Sequence, residues 1–112
     1  MAYKKQILYE PLRSINAATF VGTYLPLGGP LLHPASIVKL VNNSTSTVTV
    51  STDGVTAVDV APAMSFFLYD ETSNTPVGSV DGVFAPQNTQ YYVSGAVGTG
   101  LVYLVIQYVA EV

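Results

Sequence analysis

Thr47-Val48-Thr49-Val50-Ser51-Thr52-Asp53-Gly54-Val55-Thr56-Ala57-Val58-Asp59-Val60 decides the fold class. In its first half Val48 and Val50 point to one side and Thr47, Thr49 and Ser51 to the other, the pattern of a strand with one buried and one solvated face. Asp53-Gly54 then supplies a residue pair that adopts left-handed backbone cheaply, the strongest short-range hairpin signal. A second strand over Val55–Val60 completes the unit. The chain here is antiparallel β.

The same punctuation runs outward in both directions. Period-two runs predict strands near Thr19–Leu25, Ser36–Val41, Ser65–Tyr69, Gln90–Ser94 and Leu101–Val109, with a weaker candidate at Gly82–Phe84. Asn42-Asn43-Ser44-Thr45 separates two strands, because Asn tolerates left-handed backbone and bonds its own chain. Pro62 and Pro86 fall between strands, where a missing N–H does no harm. Apolar residues recur at three- and four-residue spacing over no window long enough for a helix. The expected fold is an antiparallel β-sandwich of seven or eight strands with an extended N-terminal arm. Residues 1–35 form the arm and an apolar loop, and residues 36–112 the sandwich body of one domain. A chain of 112 residues buries about 65 % of its unfolded surface, enough for a core without metal or disulfide.

The final strand departs from half-buried alternation. Leu101, Tyr103, Val105 and Val109 lie on one face, Val102, Leu104, Ile106 and Tyr108 on the other, and only Gln107 interrupts. Such a strand is expected to be covered on both sides, by a second sheet and by either the N-terminal segment or another subunit. Residues 1–35 are punctuated by Pro11, Pro26, Pro30 and Pro34, so Leu25-Pro26-Leu27-Gly28-Gly29-Pro30-Leu31-Leu32 is an extended apolar loop. Two readings stand for its leucines: a partner surface receives them, or they fold back to plug the chain's own sandwich.

Composition favours association. Charged residues make up 10 % of the chain and hydrophobic residues 49 %, against about 25 % charged in an average domain. A small free monomer normally carries more charge, so neighbours are expected to cover part of the surface of an obligate homo-oligomer. Charge is also divided. Lys4, Lys5, Arg13 and Lys39 with Glu10 give residues 1–39 a net +3 (4 − 1), and six acids give residues 40–112 a net −6. An arm of one sign on a body of the other suits head-to-tail contact, the arm of one copy against the body of the next, so assembly through the N-terminal arm is expected. The expected interface residues are Lys4, Lys5, Arg13, Leu27, Leu31, Leu32, Tyr103 and Tyr108. Tyrosine suits such a surface, with apolar area and one polar tip.

Chemistry-bearing patterns are weak. His33 is the sole histidine and cysteine is absent, so disulfides and thiolate metal sites are excluded and any catalytic triad rests on His33, which lacks a nucleophile-elbow context. A surface or packing role for it is expected, and the chain is expected not to be an enzyme. Asp70-Glu71 lacks the further acids of a calcium loop. Gly28-Gly29 and Gly95 to Gly100 lack the Lys and the strand–helix context of a phosphate loop, so no cofactor is expected. The acidic body argues against nucleic acid. Two overlapping sequons at Asn42 and Asn43 matter only in a secreted eukaryotic chain. The tyrosines also raise a glycan-binding host-attachment module, although such surfaces usually add Trp platforms. No run of 18 uncharged apolar residues is present, and the N-terminus lacks a secretory h-region, so no membrane association and no Sec export are expected.

Three stretches carry a resemblance: Ile37-Val38-Lys39-Leu40-Val41-Asn42-Asn43-Ser44, Val48-Thr49-Val50-Ser51-Thr52-Asp53-Gly54-Val55, and Val60-Ala61-Pro62-Ala63-Met64-Ser65-Phe66-Phe67-Leu68-Tyr69-Asp70. Together, over about residues 36–109, the chain resembles small all-β virion structural proteins of tailed bacteriophages. The resemblance implies a non-enzymatic assembly role in a virion put together in the host cytoplasm. A collar or neck protein at the head–tail junction, contacting portal, connector or tail proteins, is the preferred expectation. A capsid decoration or cement protein on the major capsid protein is the alternative.

Overall fold

The computed structural model describes residues 5–70 and 85–111. The protein is all-β, two antiparallel sheets packed face to face. Nine strands are described: β1 (Lys5–Tyr9), β2 (Arg13–Asn16), β3 (Leu25–Pro26), β4 (Ile37–Ser44), β5 (Val48–Ser51), β6 (Ala57–Ala61), β7 (Ser65–Asp70), β8 (Tyr92–Ser94) and β9 (Gly100–Glu111). The first sheet runs β1-β9-β4-β7 with β2 also on β9; the second runs β3-β8-β5-β6. The expected hairpin is β5–β6, with Gly54 at φ +79° in its turn. Ser51 and Asp53 lock that turn: the Asp53 carboxylate accepts from the N–H groups of Val55 and Thr56, both at 2.8 Å.

Strand alternation sets the core. In β4, Val38, Leu40, Asn42 and Ser44 are buried while Ile37, Lys39, Val41 and Asn43 face the other way. Antiparallel register places Leu40 opposite Leu104 and Val38 opposite Ile106, so the even-numbered residues of β9 join them inside. Val48, Val50 and Val93 close the core from the second sheet. Each such side chain contributes roughly 1.5–3 kcal/mol by leaving water.

One polar residue sits within this core. Asn42 is fully buried, and its Nδ2 lies 2.8–3.1 Å from the carbonyls of Ser46, Ala61 and Pro62. Its Oδ1 accepts from the Ser44 hydroxyl at 2.5 Å. A buried amide is costly unless so satisfied. Here it ties the end of β4 to the turns that lead into β5 and out of β6.

The N-terminal segment is extended, but along the chain's own sheet. β1 pairs with the end of β9, Tyr9 opposite Gln107, and β2 with its start, Arg13 opposite Leu104. Between them residues 10–12 face only residues 105 and 106, a bulge centred on Pro11, which has no N–H to give a ladder. The expected strand over Thr19–Leu25 is not formed. Asn16 caps a 3-10 turn at Ala17–Thr19, Gly22 takes φ +83°, and only Leu25–Pro26 pairs, with β8. The expected element at Gly82–Phe84 lies outside the described residues.

Candidate functional site

Two features rise from this framework, an internal polar cluster and an open apolar face. The cluster begins at the bulge. The extra residue there turns Glu10 and Arg13 toward the interior, where the Glu10 side chain is 0 % and that of Arg13 8 % exposed. Arg13 Nη2 donates to Glu10 Oε1 at 2.8 Å and to the Pro30 carbonyl at 3.0 Å, and Nε donates to Gly29 O at 2.9 Å. The Glu10 carboxylate also accepts from the N–H groups of Leu32 and His33 and lies 3.0 Å from His33 Nδ1. Burial works against the Glu10 charge, yet the hydrogen bonds from Arg13, Leu32 and His33 outweigh it and hold the carboxyl below its ordinary value. The His33 ring stacks on Tyr108, centroids 3.8 Å apart. Gly28, at φ +68°, passes so close that a Cβ would stand 2.6 Å from Arg13 Cγ.

This cluster clamps the 25–33 loop over the open end of the sandwich. Leu27 and Leu31 are fully buried in the core, fixed by Leu27 N–H to Tyr91 O and Leu31 N–H to Thr89 O. Of the two readings for the loop, folding back is the one formed. Arg13, Leu27 and Leu31 are thereby corrected as interface residues: each is enclosed by its own chain and presents almost nothing to a partner. Lys4 lies outside the described residues, and Lys5 opens β1 opposite Glu111. Leu32 is exposed at 57 %, beside a shallow groove of about 510 Å³ that Pro11, Leu12 and Pro30 also line. Tyr108 is half-buried on His33, and Tyr103 is half-buried on the outside of the first sheet.

The clamp gives stability an acid dependence. Because the folded Glu10 carboxyl titrates below its ordinary 4.5, its contribution is complete above that value and is lost as pH falls through the lowered one. The exposed Asp53, held down to about 2 by the N–H groups of Thr56 and Val55 and by the Ser51 hydroxyl, adds a loss in the same direction, from its ordinary 3.8 downward. The urea midpoint is therefore expected to hold steady down to about pH 5 and to fall below it. Glu10→Gln should flatten the upper part of that fall; an unchanged profile would remove Glu10 from the account.

The open face is the outside of the first sheet. Register places Phe66 opposite Val41, Val41 opposite Tyr103, Leu68 opposite Lys39, and Lys39 opposite Val105. Ile7 and Tyr9 of β1 continue the same side, opposite Val109 and Gln107. Phe66 is 65 %, Tyr9 66 %, Ile7 51 % and Leu68 51 % exposed. Lys39 is the one charged residue on this face among those with described side chains, and its ammonium lies 5.8 Å from the Phe66 ring centroid. The N-terminal segment, one expected cover for the second face of β9, lies along its edge instead. Phe66, Leu68, Ile7 and Tyr9 were missed from sequence. Phe66-Phe67-Leu68 is apolar at every position, and only pairing with β4 shows which residues turn outward.

Among the described residues no group of His, Asp or Glu is placed to hold a metal ion, and no helix is long and apolar enough to cross a membrane. Compared with known proteins, the chain matches no family model, no curated protein and no solved structure.

Proposed function

We propose that this protein is a non-enzymatic structural subunit that works by association, using the outer face of the first sheet as its contact surface. The observation that carries this reading is an apolar outer face on β9, β4 and β7 with a single described charge, to which Ile7 and Tyr9 of β1 add at the far end of β9. Three strands about 4.8 Å apart and some seven residues long at about 3.3 Å each make a face of roughly 14 by 23 Å. That is about 300 Å², comparable to the largest apolar patch on a typical monomer, a patch that is often functional. Together with the low charge of the whole chain, it supports an obligate oligomer.

The resemblance to tailed-phage virion proteins supplies the setting. We place the subunit in the collar or neck at the head–tail junction, as one copy of a repeated ring in contact with portal, connector or tail proteins. In that setting the protein carries no reaction. Gene neighbourhood tests this position: portal and tail-completion genes beside its gene would support it, and a neighbouring major capsid gene alone would move it to capsid decoration.

Association is tested directly. Native mass spectrometry at micromolar concentration is expected to show an oligomer, and Phe66→Asp is expected to weaken it by tenfold or more, as burying one aromatic side chain is worth about 1.5–3 kcal/mol. An unchanged circular-dichroism spectrum will separate lost contact from lost fold. A stable monomer of the unaltered chain overturns the reading.

A further inference from the structure

We infer that the occupant of the outer face of the first sheet is the opposite side of a second copy, the outer ridge of β6 with the β5–β6 turn. This rests on the association reading above and specifies its partner surface. The contact is heterologous: two different surfaces of the same chain meet, and each copy uses both.

Two observations point to this occupant. The first is a second apolar set on the far side of the sandwich. Val55, Val58 and Val60 are 80 %, 59 % and 50 % exposed. Val60 stands opposite Thr49 on the outside of the second sheet, away from the core. A face-to-face dimer of first sheets would leave this ridge in water in every copy. One heterologous contact covers both apolar sets at once, in every copy except the ends of an open stack.

The second observation is charge. Lys39 is the one described charge on the first sheet's outer face, and burying it opposite apolar side chains would leave a desolvated cation unpaired. The valine ridge brings a carboxylate with it. Asp53 is exposed in the β5–β6 turn, and its hydrogen bonds to the turn hold it ionised throughout the neutral range. Lys39 of one copy and Asp53 of the next are opposite charges on the two surfaces that meet. Such pairing fixes which surfaces meet more than how tightly they hold. Because the two surfaces lie on opposite sides of the sandwich, the contact repeats from copy to copy and closes into a ring where the rotation permits.

The absence of cysteine makes the test clean. Leu68→Cys and Val58→Cys place single thiols on the two exposed surfaces, and a bismaleimide with a reach of about 10 Å, one sheet-to-sheet spacing, joins thiols that meet. An equal mixture of the two variants is expected to give a covalent dimer containing one chain of each, while either variant alone gives little. Chains carrying both substitutions should give a ladder of higher multimers. Dimers from Leu68→Cys alone, as fast as from the mixture, would show a face-to-face contact and overturn the proposal while leaving association intact. An oligomer by native mass spectrometry with no mixed crosslink would likewise overturn the partner surface alone. A monomer overturns both readings. Lys39→Glu should lower the association constant about tenfold at low salt, and an unchanged constant would remove the charge pair from the argument.

Discussion

Replacing Glu10 by alanine is expected to destabilise the fold by about 3–5 kcal/mol, the range for removing one partner of a buried ion pair. The loss has two physical sources. Arg13, 8 % exposed, would keep its charge without a counter-ion, since the carbonyls of Gly29 and Pro30 offer only dipoles. The N–H groups of Leu32 and His33 would also lose their acceptor, and an unsatisfied buried donor costs about 1–3 kcal/mol. Against a total stability of about 5–15 kcal/mol for a domain, this is a large share. Glu10→Gln keeps an oxygen for the backbone donors and removes only the charge, so its loss should be smaller. Urea denaturation measures both. A loss below about 1 kcal/mol for Glu10→Ala would mean that the clamp does not hold the loop.

What the sequence disclosed, and what it hid, follows from how local each signal is. The β5–β6 hairpin was legible because its turn is specified by neighbours: Asp53 bonds residues two and three further on, and Gly54 takes the backbone that a side chain disfavours. The two-sided apolar character of β9 was equally plain, and it pointed to a face needing cover. By contrast, β1 and β2 owe their existence to β9, at the other end of the chain, and Pro11 breaks the run that would have announced them. Thr19–Leu25 alternates well enough to suggest a strand, but Asn16 capping the turn before it and Gly22 at φ +83° redirect the chain.

The site was half legible for a related reason. The net positive charge of the first 39 residues, a statement about sums, points Arg13 outward. Its partner is Glu10, three residues back, across the Pro11 bulge. An acid and a base three residues apart, flanking a proline, was the available signal. The charge division keeps a narrower meaning: Arg13 is neutralised inside by Glu10, and Lys39 stands on the apolar sheet face. Tyr103 lies half-buried on the outer face of β9, whereas Phe66 and Leu68 needed the register with β4 to separate outward from inward residues.

Leu31→Ala is expected to lower the unfolding free energy by about 2–5 kcal/mol, the span for a buried leucine whose site relaxes only in part. Leu32→Ala, one residue on, should change it by no more than about 0.5 kcal/mol. The contrast follows from the clamp. Leu31 is 0 % exposed, and its backbone is fixed on both sides, N–H to Thr89 O and O from Asn88 N–H, both within 2.9 Å. With those bonds in place the loop has little freedom to collapse into the space the lost isopropyl group leaves. Leu32 points out at 57 % exposure and contributes to folding mainly through its backbone N–H to Glu10, which alanine keeps. Similar losses for the two variants would mean that the loop is held as a unit from outside, by a partner covering Leu32 as well. A large effect of Leu31→Ala alone, with the oligomer intact on native mass spectrometry, makes the loop an internal plug and leaves the sheet face to carry association.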